Sequence, residues 1–217
     1  VEVGRITTIR AAGQGPSGDV GGAPLTPRPG EVLIEDGTLC APLAEPHVHL
    51  DAALLGRRAP NLSGTLVEGI RNWAQLRSGL TRDDVRSRAT ETVRWYVGYG
   101  ATRLRTHVDT GSRVAAEALI DLREELAGGV PGLVAVDLET GERGPVPVEL
   151  QVVAFPQEGI LRAPGRRGAW EDVVKLGVDA VGAIPHLERT TDEGWRSVRM
   201  TLDLAEKLDL MVDLHCD

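Results

Sequence analysis

The chain of 217 residues has little cysteine: Cys40 and Cys216 stand alone and form no Cys-x-x-Cys pattern. A disulfide framework is therefore not the basis of the fold, and Cys216 reads by default as a buried strand-end thiol. Basic charge is also short. With 24 Lys and Arg against 32 Asp and Glu, the net charge is −8, which leaves no electrostatic footprint for a phosphate backbone and excludes nucleic acid as the expected partner. No apolar run approaches the ~20 residues needed to cross a bilayer, and the N-terminus lacks a basic segment followed by an apolar one. The expectation is a soluble, cytoplasmic protein with no membrane partner.

What is present is a core of adequate size. Hydrophobic residues make up 41% of the chain, enough for one large domain with a small appendage. Residues 1–40 are rich in glycine and proline around two short β-like runs, Val1–Ile9 and Glu31–Gly37, and read as a partial β appendage. From residue 41 the pattern changes to apolar strands alternating with amphipathic helices. Strands are expected at Leu43–Leu50, Thr102–Val108, Val148–Phe155, Ala180–Pro185 and Leu210–Leu214, and five strands separated by helices imply parallel βα units.

The helices carry their own signals. Thr81-Arg82-Asp83-Asp84 resembles a capping box, Val85, Ala89, Val93 and Val97 share one face, and Gly100 supplies a C-terminal stop. A second box at Thr190-Thr191-Asp192-Glu193 opens a helix with Val198, Leu202 and Ala205 on one side, and a third helix runs from Trp170 to Leu176 and ends at Gly177. The stretch Ala127–Pro147, dense in glycine and proline, reads as an insertion.

The chemistry collects at the predicted strand ends. His47-Val48-His49 places two imidazoles on one face of a strand, ~7 Å apart along the backbone at ~3.3 Å per residue, so both can turn onto one metal ion. All five histidines, His47, His49, His107, His186 and His215, fall at the C-terminal ends of predicted strands, where the loops of a parallel barrel or sheet converge over one mouth. Imidazoles and a carboxylate suit a divalent ion such as zinc or iron and leave room for water. Such an ion lowers the pKa of that water toward neutrality and makes hydroxide available as a nucleophile.

Several runs, in order, resemble the motifs of cytosine deaminases in the amidohydrolase superfamily. They are Glu45–Asp51, Ser63–Leu66 with Glu68–Ile70, Arg105–Asp109, Val153–Leu161, Val181–His186 and Asp213–Asp217. The resemblance implies an α/β fold of the (β/α)8 TIM-barrel type, with about five of eight βα units present over residues 41–217 and a small N-terminal β-sandwich portion over residues 1–40. It implies that His47, His49 and His215 bind one divalent ion, zinc or iron, and that Gln157 binds the amide-like edge of the ring. His107 and Asp109 are expected to support the metal shell or to serve strand-end hydrogen bonding. His186 and Glu188 are expected at the same mouth, and Glu158 to serve its loop.

Strand four carries no lysine that could bridge a second metal after carboxylation, so a single-ion site is expected. Pro-Cys-x-x-Cys, the zinc motif of the other deaminase type, is absent. The relatives' proton-shuttle glutamate would follow Asp217, and two further site residues would lie beyond it. The chain is accordingly expected to continue, or to be completed by a second chain, and to be inactive alone. The activity implied is hydrolytic deamination of a cytosine-like heterocycle with release of ammonia, in a homo-oligomer. The alternatives are an aminohydrolase of another ring (isocytosine, a triazine or a creatinine-like compound) and a non-catalytic binding module.

Overall fold

The computed structural model describes residues 40–136 and 142–216. The β-like runs of residues 1–39, expected to contribute to a β-sandwich, and Asp217 lie outside them. The chain divides into two compact units, Val1–Ala41 with Gly132–Val146 and Pro42–Pro131 with Pro147–Asp217.

The larger unit holds a five-stranded, wholly parallel sheet. Its strands are β1 (Leu43–Val48), β2 (Ala101–Asp109), β5 (Glu149–Phe155), β6 (Ala180–Ala183) and β7 (Met211–Leu214), side by side in the order β1-β2-β5-β6-β7. All five sequence-predicted strands are present. The centre is the most regular part: β2 and β5 pair without interruption from Arg103 opposite Glu149 to Asp109 opposite Phe155. β1 is an edge, and its register shifts between Glu45 and Val48. Pro46 sits in that gap, and proline has no N–H to give the ladder. Strand β1 consequently ends at Val48, two residues before its predicted end.

Helices α1 (Leu66–Leu76), α2 (Arg82–Gly98), α3 (Arg113–Ala127), α4 (Arg166–Val174) and α5 (Thr191–Leu208) connect the strands. The predicted caps form: Thr81 accepts from the N–H of Asp84 at 3.2 Å and Thr190 from that of Glu193 at 3.1 Å. Gly100 takes φ +88°, the left-handed stop expected after α2. Helix α4 starts earlier than predicted, after Gly165. Its Trp170 is buried and donates its indole N–H to the carbonyl of Gly182, tying α4 to β6.

The buried face of α5 agrees with the expected one at Ala205 and departs from it at Leu202. Leu202 is 47% exposed, and the buried positions are Gly194, Ser197, Thr201 and Ala205. A Cβ on Gly194 would stand 2.9 Å from the carbonyl oxygen of Pro185, so only a small-residue face lets α5 approach the turn after β6. The hydroxyls satisfy themselves within the helix, Ser197 on the carbonyl of Gly194 and Thr201 on that of Ser197.

Within Ala127–Pro147, β3 (Val134–Val136) and β4 (Arg143–Pro145) form an antiparallel hairpin, which belongs to the smaller unit. No helix among the described residues is long and apolar enough to cross a membrane.

Candidate metal centre

The sheet curls, and side chains on its concave face prove it. In a flat sheet with strands ~4.8 Å apart, β1 and β7 would be separated by four spacings, ~19 Å. Yet the rings of His47, at the end of β1, and His215, just past β7, have centroids 4.6 Å apart. The two edges have rolled toward each other into a half-barrel, and what lies at the ends of the strands is brought to one mouth.

His47, His107 and His215 each present a ring nitrogen there, all within 4.8 Å of one another. His49 joins them from one side: its Nε2 is 3.2 Å from Nε2 of His47. The opposite ring nitrogen of His49, Nδ1, is 2.9 Å from the carbonyl oxygen of His107. A carbonyl can only accept, so Nδ1 carries the proton and Nε2 keeps its lone pair toward His47.

These residues fit a metal ion. Two nitrogens bound at ~2.0–2.1 Å to one tetrahedral ion lie ~3.3 Å apart, close to the 3.2 Å separation of the His47 and His49 nitrogens. Ligand imidazoles must be neutral, and burial, followed by the neighbouring rings of His107 and His47, lowers His49 to about 4. His107 is likewise lowered, by burial first, and its Nδ1 is buried with no hydrogen-bond partner among the described residues. Phe155 floors the cluster edge-on, its ring centroid 4.4 Å from that of His215 and 5.5 Å from that of His107.

Beneath the histidines, charge continues along the concave face. His107 Nε2 faces Asp213 Oδ1 at 3.2 Å, a close polar contact rather than an aligned hydrogen bond. Arg105 donates through Nη1 to Asp213 Oδ2 at 2.9 Å and through Nε to Gln151 Oε1 at 3.0 Å. Asp213 and Arg105 were not singled out in the sequence. The signal was there: each lies two residues before a strand-end histidine and so on the same face of its strand.

Asp51 and Asp109 knit the first two loops together. Asp51 is buried, and its carboxylate accepts from the N–H groups of Ala52 and Asp109 at 2.9 Å each. Burial raises it to about 7, against those two hydrogen bonds. Asp109 accepts from the Trp73 indole at 2.6 Å, from Arg77 at 2.8 Å and from the N–H of Gly111 at 2.8 Å. It is a bracket for α1 and its own loop, while His107 stands among the candidate ligands.

Other predicted positions are more distant in role. Gln157 is half-buried in the turn after β5, where its backbone N–H donates to the carbonyl of Phe155 at 3.0 Å. His186 lies exposed on the turn Pro185–Leu187, outside the three-histidine cluster. Glu158 and Glu188 both serve the Gln157 loop, by contacts described below. Cys216, expected to be buried, is exposed, because β7 ends before it at the sheet edge.

No protein-family model and no curated protein matches the chain. Solved structures do. The 5-methylcytosine deaminase of Klebsiella pneumoniae liganded with 5-fluorocytosine matches at 41% identity and TM-score 0.70, over 81% of this chain and 39% of that one. The same enzyme liganded with phosphonocytosine matches at 40% identity and TM-score 0.70. N-isopropylammelide isopropylaminohydrolase of Burkholderia multivorans matches at 28% identity and TM-score 0.58, over 80% of this chain and 40% of that one. The chain thus spans about two-fifths of the length of these relatives. With the order of its strand-end motifs and this identity over 81% of its length, the chain belongs to the cytosine deaminase-like amidohydrolases.

Proposed function

We propose that this chain supplies the metal-binding and substrate-recognising part of a hydrolytic deaminase that acts on a cytosine-like nitrogen heterocycle and releases ammonia. The observation that carries the proposal is the meeting of His47, His49, His107 and His215 at the mouth of one curled parallel sheet. His47, His49 and His215 would hold one divalent ion, zinc or iron. Once bound there, the ion supplies Lewis acidity and an activated water.

The chain's own residues have separable tasks. The carbonyl of His107 fixes the tautomer of His49, and Asp213 orients the ring of His107. Phe155 keeps water from the underside of the cluster. Gln157, with an amide carrying both donors and an acceptor, binds the amide-like edge of the ring. The complete reaction also needs a proton shuttle, to take the proton of the attacking water and give it to the leaving amine.

Among the described residues, both edge strands, β1 and β7, pair on one side only. Further βα units, in continuation or from a second chain, would close the half-barrel into the eight-stranded form and cover those edges. Assembly into a homo-oligomer and a cytoplasmic location belong to the same proposal.

The test is ammonia release by the protein expressed from its complete reading frame, with metal measured on the same sample. Cytosine, 5-methylcytosine, isocytosine and an amino-triazine form the panel. About one zinc or iron per chain with turnover of cytosine or 5-methylcytosine is expected. Turnover of the triazine alone would move the substrate toward that of the Burkholderia relative. Metal-free protein inert to the whole panel would overturn the proposal in favour of a non-catalytic module.

A further inference from the structure

The loop that carries Gln157 is held at two places by side chains from elsewhere in the chain. On its far side, Glu188 accepts from the N–H of Ile160 at 2.6 Å and from that of Leu161 at 3.1 and 3.2 Å. Gly159, at φ +84°, makes room for that carboxylate, since a Cβ there would stand 2.9 Å from Glu188 Oε2. On the near side, directly beside Gln157, Glu158 Oε2 meets Nη2 of Arg77 and Nη2 of Arg166, each at 2.7 Å.

Arg77 comes from a different part of the mouth, the short turn Arg77–Gly79 that follows α1. Its other arm, Nη1, donates to Asp109 Oδ2 at 2.8 Å. The guanidinium lies against Gly111, where a Cβ would come within 2.6 Å of Nη1. The side chains are enclosed: Arg77 is 18% exposed, Glu158 22% and Asp109 4%. A planar fork that meets two carboxylates at once is a task for arginine, because a lysine ammonium is a single point charge on a flexible stem.

We infer that Arg77 is a positioning residue, whose guanidinium joins Asp109 at the end of β2 to Glu158 and so sets the Gln157 amide in place before substrate arrives. This rests on the reading of Gln157 as the substrate-binding residue. A loop already held in its binding conformation loses no ordering entropy on binding. A displacement of ~1 Å at such a group costs up to ~100-fold.

The experiment compares Arg77→Ala, Arg77→Lys and wild type in the complete protein, by steady-state kinetics on cytosine, metal content and amide hydrogen exchange. In Arg77→Ala, KM is expected to rise by ~10-fold or more with a smaller change in kcat, and bound metal is expected to stay as in wild type. Exchange is expected to quicken in residues 156–161 and not throughout the chain. Guanidinium added to the buffer is expected to recover part of the KM of Arg77→Ala, and Arg77→Lys is expected to behave like Arg77→Ala. An unchanged KM with unchanged loop exchange would overturn the inference, as would faster exchange everywhere, which marks a general structural role. Wild type without turnover on any ring amine would remove the deaminase reading instead. Loop exchange would then decide alone: quickened exchange in 156–161 upholds the staple, and unchanged exchange overturns it.

Discussion

Replacing Asp213 tests whether charge holds the concave face of the half-barrel together. Asp213 Oδ2 takes a hydrogen bond from Arg105 at 2.9 Å, and Oδ1 stands 3.2 Å from Nε2 of the buried His107. Asn keeps the shape and one acceptor but loses the charge. With side chains 29% and 18% exposed, the Arg105–Asp213 pair is neither a solvated pair, worth ~0–1 kcal/mol, nor a fully buried one, where loss of a partner costs ~3–5 kcal/mol. Asp213→Asn is therefore expected to cost ~1–3 kcal/mol, between those limits. Arg105→Met should cost a similar amount, since it also strips Gln151 of its donor. Because the two changes break the same contact, the double variant should be less damaging than their sum, with a coupling of ~1–2 kcal/mol. Urea unfolding of the four proteins, followed by circular dichroism at one pH, gives the cycle; a chelator in every sample keeps ion binding out of the measured stabilities. Additivity within ~0.3–0.5 kcal/mol would refute the reasoning, because the contact would then hold nothing in place.

Three further outcomes follow from the same geometry. His47→Ala is expected to lower bound metal by at least ~10-fold, as measured by inductively coupled plasma mass spectrometry, since even outer-shell losses cost 10–100-fold; retention of full metal content would remove His47 from the ligands. Burial alone would raise Glu158 from its ordinary 4.5, but its ion pairs with Arg166 and Arg77 outweigh burial and lower it. Its contribution to stability is therefore complete above ~4.5 and lost as pH falls through the lowered folded value, so Glu158→Gln should flatten the acid side of the stability profile; an unaltered profile would speak against the ion pairs. Gly182→Ala should destabilise the fold by ~1–3 kcal/mol in thermal melts, because its Cβ would press on the carbonyl of Ala154 at 3.0 Å and on Phe155 at 3.2 Å; a neutral result would mean that β6 has slack.

Local signals were legible in the sequence where the chemistry is local. Thr81 and Thr190 cap because a hydroxyl one turn from the first free N–H groups needs no tertiary help, and Gly100 stops α2 because only glycine takes its φ cheaply. The five strands and their parallel arrangement followed from apolar runs alternating with helical periodicity. The strand-end histidines were visible for the same reason, since each closes an apolar run.

Other features were not legible, because they depend on what the chain packs against. The face of α5 was read correctly at Ala205 and misjudged at Leu202, where hydrophobicity was the guide, whereas close approach to Pro185 demands Gly194 and selects small neighbours along the same face. The early end of β1 depends on how Pro46 interrupts pairing at an edge. Asp109 was read either as support for the metal shell or as a strand-end hydrogen-bonding group; its partners, Trp73 in α1 and Arg77 in the turn after it, could not be foreseen because no periodicity had announced that helix.

The sequence by itself determined which groups are available, among them the imidazoles of His47, His49, His107 and His215 at the ends of parallel strands, because residue type and strand period are one-dimensional properties. Only the tertiary structure decided that they meet. The curl of the sheet brings His47 from one edge to within 4.6 Å of His215 at the other, and that approach depends on the summed twist and packing of five strands, which no single run of residues encodes.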